Sequence, residues 1–423
     1  MKCSSSACGR IARLLSIMLA ASLLSGLVSS FAARAQPTQP APLSATTRPP
    51  AEELAKREAW RAAIARTPAP KKGCFTAVYP NTAWQEAPCS PPSRYPNPPA
   101  RPKEGGHGPI VGHGVGPVGN GLDYSAQPAS GLISSAVGSF DSVAPATITE
   151  TGPWSAGGPP PPPPPTCNHP PPCRQPDTTQ TPNAVVLPTL NAFTLQLNTR
   201  PFPTPACQGV TGCQGWQQFV FSQNQCKGPC VFIEYWLLNF GPKCPTASWT
   251  QWGNDCYINS ESSIAPAVPA AQLQGTTLTG TAAGDSDTVV LTTTSGTAMA
   301  NVAESVLNLA QGWNTVEWNV FGDCCDSQAS FSAGSTLVVR TSVNAGANSL
   351  PPTCVQEGFT GETNNLLLLE AVEAATPHTS SATPVTTTPV PGSGATFPAI
   401  VFAESNAAPG GTLARCTASA PGQ

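Results

Sequence analysis

Apolar and polar residues alternate along much of the chain from residue 184 onward. Eleven segments repeat with a period of two, as expected for β-strands with one buried face. They are 184–187, 192–197, 216–222, 230–240, 273–281, 288–293, 298–303, 314–321, 336–343, 366–369 and 399–403. Gly, Asn, Asp and Pro turns separate them, without helical repeats between. The pattern predicts an all-β fold, an antiparallel β-sandwich of the jelly-roll or concanavalin-like type. Residues 366–369 are apolar throughout, so we expect them to be buried on both faces.

The N-terminus has the organisation of a secretory signal peptide. Basic residues precede an apolar run over 11–28, and Ala33-Arg34-Ala35 follows as a cleavage site. We therefore assign 1–35 to a signal peptide and expect no transmembrane anchor after its removal. The mature protein is expected to be secreted, either extracellular or periplasmic or on the cell surface.

Fourteen cysteines remain after the signal peptide, and an even number in an exported chain indicates disulfide bonds. Six of them, with four tryptophans, lie between Cys207 and Tyr257, which we expect to be the most cross-linked part of the fold. Spacing predicts local bridges Cys74–Cys89, Cys167–Cys173 and Cys226–Cys230. A bridge Cys354–Cys416 would tie the last strand to the sandwich, and the sequence leaves this pairing open. The adjacent Cys324 and Cys325 either pair with each other or have different partners.

Composition divides the chain into segments, and proline-rich flanks are expected to be disordered. After the signal peptide, 36–72 is a Pro-rich tether with a basic helix over Ala51–Arg66, a candidate prosegment. The further segments are 73–104, a small disulfide-closed hairpin and Pro-rich linker; 105–182, Gly/Pro-rich with one or two strands; 183–372, the sandwich core; 373–396, a Ser/Thr/Pro linker or loop; and 397–423, the last strand and tail.

Charge is sparse and unevenly placed. Charged residues make up 10% of the chain, and residues 73–423 carry nine basic and twenty acidic side chains. Residues 36–72 carry seven basic and three acidic ones. An acidic body lacks the basic patch that nucleic-acid binding requires, so we expect no nucleic-acid partner. The basic leader suits docking on the acidic body.

The core has few groups for catalysis. No histidine lies between residues 183 and 370, which excludes a Ser-His-Asp arrangement or a histidine zinc site there. Carboxylates and amides remain, and Gln218, Glu234 and Glu317 each occupy a mid-strand position beside apolar residues. Such surroundings raise a carboxyl pKa and suit the group to proton transfer. The alternative is that these three residues lie on the solvated face of a sheet.

Three short motifs occur in an order that resembles the eqolisin-type glutamic peptidases. They are Gln218-Phe219-Val220, then Ile233-Glu234-Tyr235-Trp236, then Glu317-Trp318-Asn319-Val320-Phe321. The resemblance implies a secreted two-sheet sandwich with a basic prosegment. It also implies that Glu317 is the base toward a water, that Gln218 orients this water and stabilises the oxyanion, and that activity is highest at acidic pH.

The chain departs from the family in two places. Phe219 replaces a glycine, and Phe321 stands where the family has a second Glu. If that second Glu is the catalytic acid, the activity is absent. The chain also looks like exported bacterial proteins of unassigned function, a likeness that carries no chemistry.

Two other functions fit the same residues. The first expectation is a non-catalytic binding or cell-surface module for a polypeptide or glycan, with a stacking surface of aromatic residues: Trp236, Trp249, Trp252, Tyr257 and Trp318. The other is a glycoside hydrolase that uses Glu234 and Glu317.

No cofactor is expected. Two acidic turns are weak calcium candidates that hairpin geometry explains equally well: Asp285 with Asp287, and Asp323 with Asp326. His107 and His113 are a further weak metal pair in a glycine-rich segment. The oligomeric state stays open.

Overall fold

The structure is a computed structural model that describes residues 51–100, 116–144, 146–151, 190–294, 296–346, 349–368, 397–407 and 416–420. This part of the chain contains one α-helix, α1 (Ala51–Arg66), and four short 3₁₀ helices, Pro205–Cys207, Ala270–Gly275, Glu304–Val306 and Leu309–Gln311. The remaining regular structure is β-strand.

The strands in chain order are β1 (Gly73–Ala77), β2 (Gln85–Ala87), β3 (Pro117–Gly119), β4 (Tyr124–Gln127), β5 (Ser135–Ala144), β6 (Ile148–Thr151), β7 (Thr194–Thr199), β8 (Gln214–Ser222), β9 (Cys230–Leu238), β10 (Thr250–Trp252), β11 (Asp255–Asn259), β12 (Ser263–Ile264), β13 (Thr277–Ala283), β14 (Ser286–Thr292), β15 (Thr297–Ala303), β16 (Val316–Phe321), β17 (Gln328–Phe331), β18 (Thr336–Asn344), β19 (Thr353–Gln356), β20 (Thr363–Leu368), β21 (Ala399–Ser405) and β22 (Thr417–Ser419).

The strands form two sheets. The larger has the order β2-β1-β15-β14-β13-β5-β18-β21-β20-β17-β6, with β22 beside β21 and β3 beside β20. The smaller has the order β10-β11-β9-β8-β7-β16-β4-β19, with β12 beside β9. Pairing is antiparallel except between β17 and β20, which are parallel. The predicted all-β sandwich is confirmed.

Large aromatic side chains fill the space between the sheets. Trp318 on β16 packs against Phe140 on β5, with ring centroids 5.3 Å apart. A Cβ on Gly138 would lie 1.9 Å from the Trp318 ring, so glycine at this position makes room for the indole. Apolar positions of the alternating strands fill this core, and Gln217 on β8 and Asp287 on β14 are polar residues that face it as well.

The predicted helix is confirmed as α1, with Glu52 and Glu53 in its first turn and Arg66 in its last. Trp60 and Ile64 are buried against Ala77 of β1. Trp60 Nε1 also donates a hydrogen bond of 2.6 Å to the Asn81 carbonyl. The helix is therefore packed on the sandwich.

Disulfide bonds close neighbouring segments. The described residues contain the pairs Cys74–Cys89, Cys207–Cys213, Cys226–Cys230, Cys244–Cys256, Cys324–Cys325 and Cys354–Cys416. Two of the three bridges predicted from spacing are confirmed, the bridge Cys354–Cys416 forms, and the adjacent cysteines pair with each other. The third predicted local bridge, Cys167–Cys173, lies outside the described residues, as do His107 and His113.

Several strand predictions need correction. Residues 363–368 alternate between half-buried and buried, so the expectation that 366–369 is buried on both faces is wrong: Leu367 is only half-buried. The predicted strand 184–187 lies outside the described residues. Four strands, β3 to β6, form where one or two were expected, and β1 extends the larger sheet by pairing with β15. No helix in the described ranges has the length and apolarity to cross a membrane.

Candidate functional site

One row of polar side chains crosses the outer face of the smaller sheet. Strand register places Asn259, Glu234, Gln218, Asn198, Glu317 and Ser125 opposite one another on β11, β9, β8, β7, β16 and β4. Residues directly opposite on neighbouring strands point to the same face, so these six form a continuous polar row. The structure thus brings the three predicted residues Gln218, Glu234 and Glu317 together. Each of these three is 0% exposed, and the alternative of a solvated face is wrong.

Amide side chains connect the middle of the row. Gln218 Nε2 donates to Asn198 Oδ1 at 3.0 Å, and Asn198 Nδ2 donates to Glu317 Oε2 at 2.9 Å. Gln218 Nε2 also donates to Gln196 Oε1 at 3.2 Å. Gln218 and Glu317 are therefore linked through Asn198 rather than by direct contact, while Gln218 lies directly opposite Glu234.

The two oxygens of Glu317 have different surroundings. Oε2 accepts from Asn198 Nδ2, from Phe359 N at 2.9 Å and from Thr360 N at 3.3 Å. Oε1 has no hydrogen-bond partner among the described residues. Burial raises the pKa of Glu317 from 4.5 to about 7, against the lowering effect of these three donors. One oxygen is thus fixed, and the other is available to accept a proton.

Glu234 is paired at both oxygens. Oε1 accepts from Asn97 N at 2.8 Å and from Trp236 Nε1 at 2.6 Å, and Oε2 accepts from Asn97 Nδ2 at 3.0 Å. Burial raises the pKa of Glu234 to about 8, although the hydrogen bonds from Asn97 and Trp236 lower it. Two of these three bonds come from outside the sheet.

Two segments without regular structure cover the row. We call residues 93–100 the strap and residues 357–362 the cover loop. Asn259 Nδ2 donates to the carbonyls of Ser93 and Tyr95 in the strap at 3.2 and 3.1 Å. The strap meets the cover loop where Ala100 N donates to Phe359 O at 2.7 Å. A ligand reaches the row only if the strap or the cover loop moves.

Aromatic residues extend the row at the β10 and β11 edge. Trp236 stacks on Tyr257 with ring centroids 5.1 Å apart, and Trp216, Trp252 and Phe359 complete the cluster. Trp252 and Tyr257 are each only 7% exposed, so the cluster offers no open platform for a sugar ring. Trp249 is half-buried against the main core. Trp318 lies in the core on the opposite face from Glu317.

Further buried carboxyl groups surround the Glu317 end of the row. Asn319 Nδ2 donates to Asp123 Oδ2 and to Glu404 Oε2, both at 3.2 Å. Burial raises the pKa of Glu404 to about 8, and burial together with Glu317 and Glu404 raises that of Asp123 well above its usual range. Burial also raises the pKa of Glu362, on the cover loop. The region therefore takes up protons readily.

The four acidic residues considered as calcium ligands are Asp285, Asp287, Asp323 and Asp326, and they do not belong to the polar row. Asp285 is exposed and forms an ion pair of 3.3 Å with Lys72. Asp287 is buried and accepts from Gln217 Nε2 at 2.9 Å. Asp323 Oδ1 accepts from Ser222 Oγ at 2.7 Å, and Asp326 follows the bonded pair Cys324–Cys325. Among the residues that the structure describes, no three His, Cys, Asp or Glu side chains are grouped as metal ligands.

Sequence reasoning missed Asn198 and Asn97. Asn198 had a visible signal, because Gln196 and Asn198 alternate with Leu195 and Leu197 on β7 as Gln218 and Glu234 alternate with apolar residues on their strands. Asn97 had none, since it stands between prolines in a segment without periodicity. Its importance comes from tertiary contact alone.

Comparison of the chain with protein-family models, with curated proteins and with solved structures finds no match.

Proposed function

We propose that this protein is a secreted glutamic-type endopeptidase in which Glu317 activates a water. One observation carries the proposal: a buried carboxylate with one oxygen fixed by three donors and the other unpaired, in the same row as Gln218. The six disulfides among the described residues fit an oxidising compartment, which supports export.

The geometry of Glu317 suits a general base. Asn198 and the two main-chain N–H groups orient the carboxylate through Oε2, so that a proton from water goes to Oε1. A pKa near 7 allows the protonated acid to pass this proton on to the leaving amine. The base form predominates only above that pKa while the site is closed. Admission of water to the row would lower the pKa toward its ordinary value, and activity would then extend to acidic pH.

Gln218 is suited to orient the substrate or a water beside it once the row opens, since it lies two strand spacings, about 10 Å, from Glu317 with Asn198 between them. Its Oε1 has no hydrogen-bond partner in the described part of the chain, and its Nε2 is fixed by Asn198 and Gln196. An amide held in this way is preorganised, so it costs little to align during the reaction. Asn198 supports both groups, since it bonds Gln218 with one end of its amide and Glu317 with the other.

The closed row is consistent with a latent form of such an enzyme. The strap and the cover loop exclude solvent from Glu234 and Glu317. Both belong to the covalent chain, and the strap lies after the basic helix that packs on the sandwich. Displacement of the strap is the step that would admit a substrate.

A second candidate is a non-catalytic module that binds an extended peptide. The full pairing of Glu234 by main-chain and amide groups of the strap favours it. The buried aromatic cluster supports a peptide ligand rather than a glycan.

The glycosidase alternative has less support. Glu234 and Glu317 stand three strand spacings apart, about 14 Å at ~4.8 Å per spacing. The two carboxyl groups of glycosidases are about 5–9.5 Å apart.

Casein cleavage between pH 3 and 8 tests the proposal, with the wild-type chain and with Asn97→Ala, which loosens the strap. We expect faster cleavage by Asn97→Ala. Glu317→Gln in that background should lower the rate by about 10²–10⁴-fold, the usual contribution of a general base. Asp287→Asn is the matched control, because Asp287 is an equally buried carboxyl with a raised pKa but lies in the core. Equal rates with and without Glu317→Gln, or no cleavage by any folded variant, would refute the proposal.

A further inference from the structure

We infer that Glu234, Gln225 and Trp236 form a pocket that selects asparagine in an extended peptide, and that Asn97 of the strap fills this pocket in the closed form. The inference rests on the proposed function, since the peptide is the substrate of the proposed enzyme. It names the residue by which that substrate is recognised.

The pocket matches both ends of the Asn97 amide. Asn97 Nδ2 donates to Glu234 Oε2 at 3.0 Å, and Asn97 Oδ1 accepts from Gln225 Nε2 at 3.0 Å. Asn97 N donates to the other Glu234 oxygen at 2.8 Å, and Asn97 is 0% exposed. The pocket has a buried acceptor, Glu234, at one end and a buried donor, Gln225, at the other. It therefore discriminates strongly between side chains, because one that lacks either matching group leaves a polar atom unpaired.

The hydrogen bonds of the Asn97 amide with Glu234 and Gln225 distinguish asparagine from similar residues. Aspartate has no N–H for Glu234 and would place a second carboxyl group against it, a like-charge contact when both are ionised. Alanine removes the amide that bonds Glu234 Oε2 and Gln225 Nε2, so each of these two atoms loses one hydrogen bond. Glutamine carries the correct groups but is longer by one methylene, which a fully buried pocket accommodates only by displacing its walls.

The pocket residues are held in place by other parts of the fold. Trp236 Nε1 donates to Glu234 Oε1 at 2.6 Å, which fixes the carboxyl group from within the sheet. Gln225 N donates to Ser222 Oγ at 2.9 Å, and Gln225 Nε2 also donates to the Asp323 carbonyl. The next residue, Cys226, is bonded to Cys230 at the start of β9. A preformed pocket of this kind binds without ordering its own side chains first.

Ser93 Oγ of the strap also donates to Gln225 Oε1 at 3.0 Å, whereas other contacts hold the strap by its main chain. Tyr257 OH donates to the Arg94 carbonyl at 3.2 Å, and Cys325 N donates to the Pro96 carbonyl at 3.1 Å. Gly361 N donates to the Pro98 carbonyl at 2.7 Å. These contacts use the main chain, which every peptide has. The Asn97 side chain is therefore the part of the strap whose identity the groove reads through a matched donor and acceptor.

The direction of the strap places the bond to be cleaved. From Asn97 at Glu234 the strap runs to Ala100, whose N–H donates to the Phe359 carbonyl, and Phe359 N in turn donates to Glu317. Three extended residues span about 10 Å and four span about 14 Å, the distance between the main chains of Glu234 and Glu317. A substrate bound in this direction would have its cleaved bond about three or four residues after the asparagine. In the strap the first of those positions is Ala100.

Peptide binding to the full-length chain tests the pocket. Asn97→Trp places a side chain too large for the pocket on the strap and so displaces it. A fluorescent peptide with the strap sequence Ser-Arg-Tyr-Pro-Asn-Pro-Pro-Ala is titrated by anisotropy, beside versions with Asp, Gln or Ala in place of Asn. We expect Asn97→Trp to bind the Asn peptide at least about tenfold more tightly than the wild-type chain does. The same variant should bind the Asp, Gln and Ala peptides at least about tenfold more weakly than the Asn peptide, because each of them loses buried hydrogen bonds or fits the pocket poorly. Glu234→Ala added to Asn97→Trp should abolish the preference.

Equal binding of the Asn and Ala peptides, or no binding by folded Asn97→Trp, would overturn the inference. If Asn97→Trp does not fold, the same titration with Asn97→Ala decides, because that change only empties the pocket and the same order of peptides is expected. The assay does not depend on cleavage. Binding of the Asn peptide without cleavage would support the pocket and refute the peptidase. Cleavage without a preference for asparagine would support the peptidase and refute the pocket.

Discussion

A buried carboxyl group and a buried amide group meet on each of the two faces of strands β8 and β9. On the outer face Gln218 lies opposite Glu234, in the polar row. On the core face Gln217 Nε2 donates to Asp287 Oδ2 of β14 at 2.9 Å, close to Tyr235 on β9. Burial raises the pKa of Glu234 and of Asp287 to about 8 in each case. By residue type, burial and pKa the two regions are nearly equal.

They differ in what covers them. Asp287 lies between two sheets, so solvent reaches it only if the sandwich separates. Glu234 lies under the strap, which has no regular structure and is held by individual hydrogen bonds. Segments of this kind open locally at a much lower cost in free energy than sheet strands do. A raised pKa therefore does not by itself identify a site, and a removable cover is the feature that distinguishes the outer face.

The largest expected difference is in catalysis, between two adjacent glutamines. Gln218→Ala should lower the rate of peptide cleavage by about 10²–10³-fold, the usual loss when a preorganised polar group at the reacting atoms is removed. Gln217→Ala should leave the rate within about threefold, because Gln217 points into the core. Cleavage rates of the two folded variants in the Asn97→Ala background give the comparison. Equal losses of cleavage rate in the two variants would mean that the polar row has no special role in catalysis.

The next effect is on stability, and here the two regions should behave alike. Glu234 and Asp287 have folded pKa values near 8 and ordinary values of 4.5 and 3.8. Between these limits the folded state holds protons that the unfolded state has released. The free energy of unfolding therefore falls as pH rises from about 4 to 8, by about 1.4 kcal/mol per unit of pKa shift for each group.

Glu234→Gln and Asp287→Asn should each reduce the fall between pH 4.5 and 8 by about 4 kcal/mol, since each removes one shifted group. Thermal unfolding at pH 4.5, 6 and 8 measures it. If the free energy of unfolding increases over this pH range, the assigned protonation is wrong. If only one of the two substitutions changes the pH dependence, the two faces do not behave alike.

Two glycines test packing in each region. A Cβ at Gly138 would lie 1.9 Å from the Trp318 ring, inside the core. A Cβ at Gly358 would lie 2.8 Å from Glu317 Oε1, under the cover loop. Gly138→Ala should destabilise the fold by about 2 kcal/mol or more, because the core cannot yield. Gly358→Ala should cost less, because a loop can shift, but should impair cleavage by displacing Glu317. Urea denaturation and cleavage assays separate the two results, and a larger stability loss for Gly358→Ala would show that the cover loop is as rigid as the core.

Alternation along individual strands was enough to predict the sandwich and to select Gln218, Glu234 and Glu317. Glu234 and Glu317 are each flanked on both sides by apolar residues that face the core, and Gln218 is followed by one, Phe219, so this local signal survives in the fold. Their position opposite one another was not predictable, because strand register depends on which strands pair, and β16 pairs with β7 across more than a hundred residues. The burial of the row was unpredictable for the same reason. The strap is proline-rich and without periodicity, so nothing local marks Asn97 as a buried residue.

The smallest effect comes from the loss of one hydroxyl group in each region. Tyr235 OH is buried without a hydrogen-bond partner among the described residues, and its desolvation is not compensated. Tyr235→Phe should therefore leave the free energy of unfolding unchanged or raise it by up to about 1 kcal/mol. Tyr257 OH donates to the Arg94 carbonyl of the strap at 3.2 Å, so Tyr257→Phe should lower the free energy of unfolding by about 1 kcal/mol.

The same substitution thus has opposite expected signs on the two faces. Tyr257→Phe should also speed amide hydrogen exchange at Tyr95 and Asn97, because the strap loses one of its attachments, whereas Tyr235→Phe should leave exchange in the strap unchanged. Hydrogen exchange read by mass spectrometry on the folded variants measures this. If neither change alters exchange in the strap, the hydroxyl of Tyr257 does not hold it. Faster exchange after Tyr235→Phe would mean that the core face and the strap are coupled, and that the row is not closed by the strap alone.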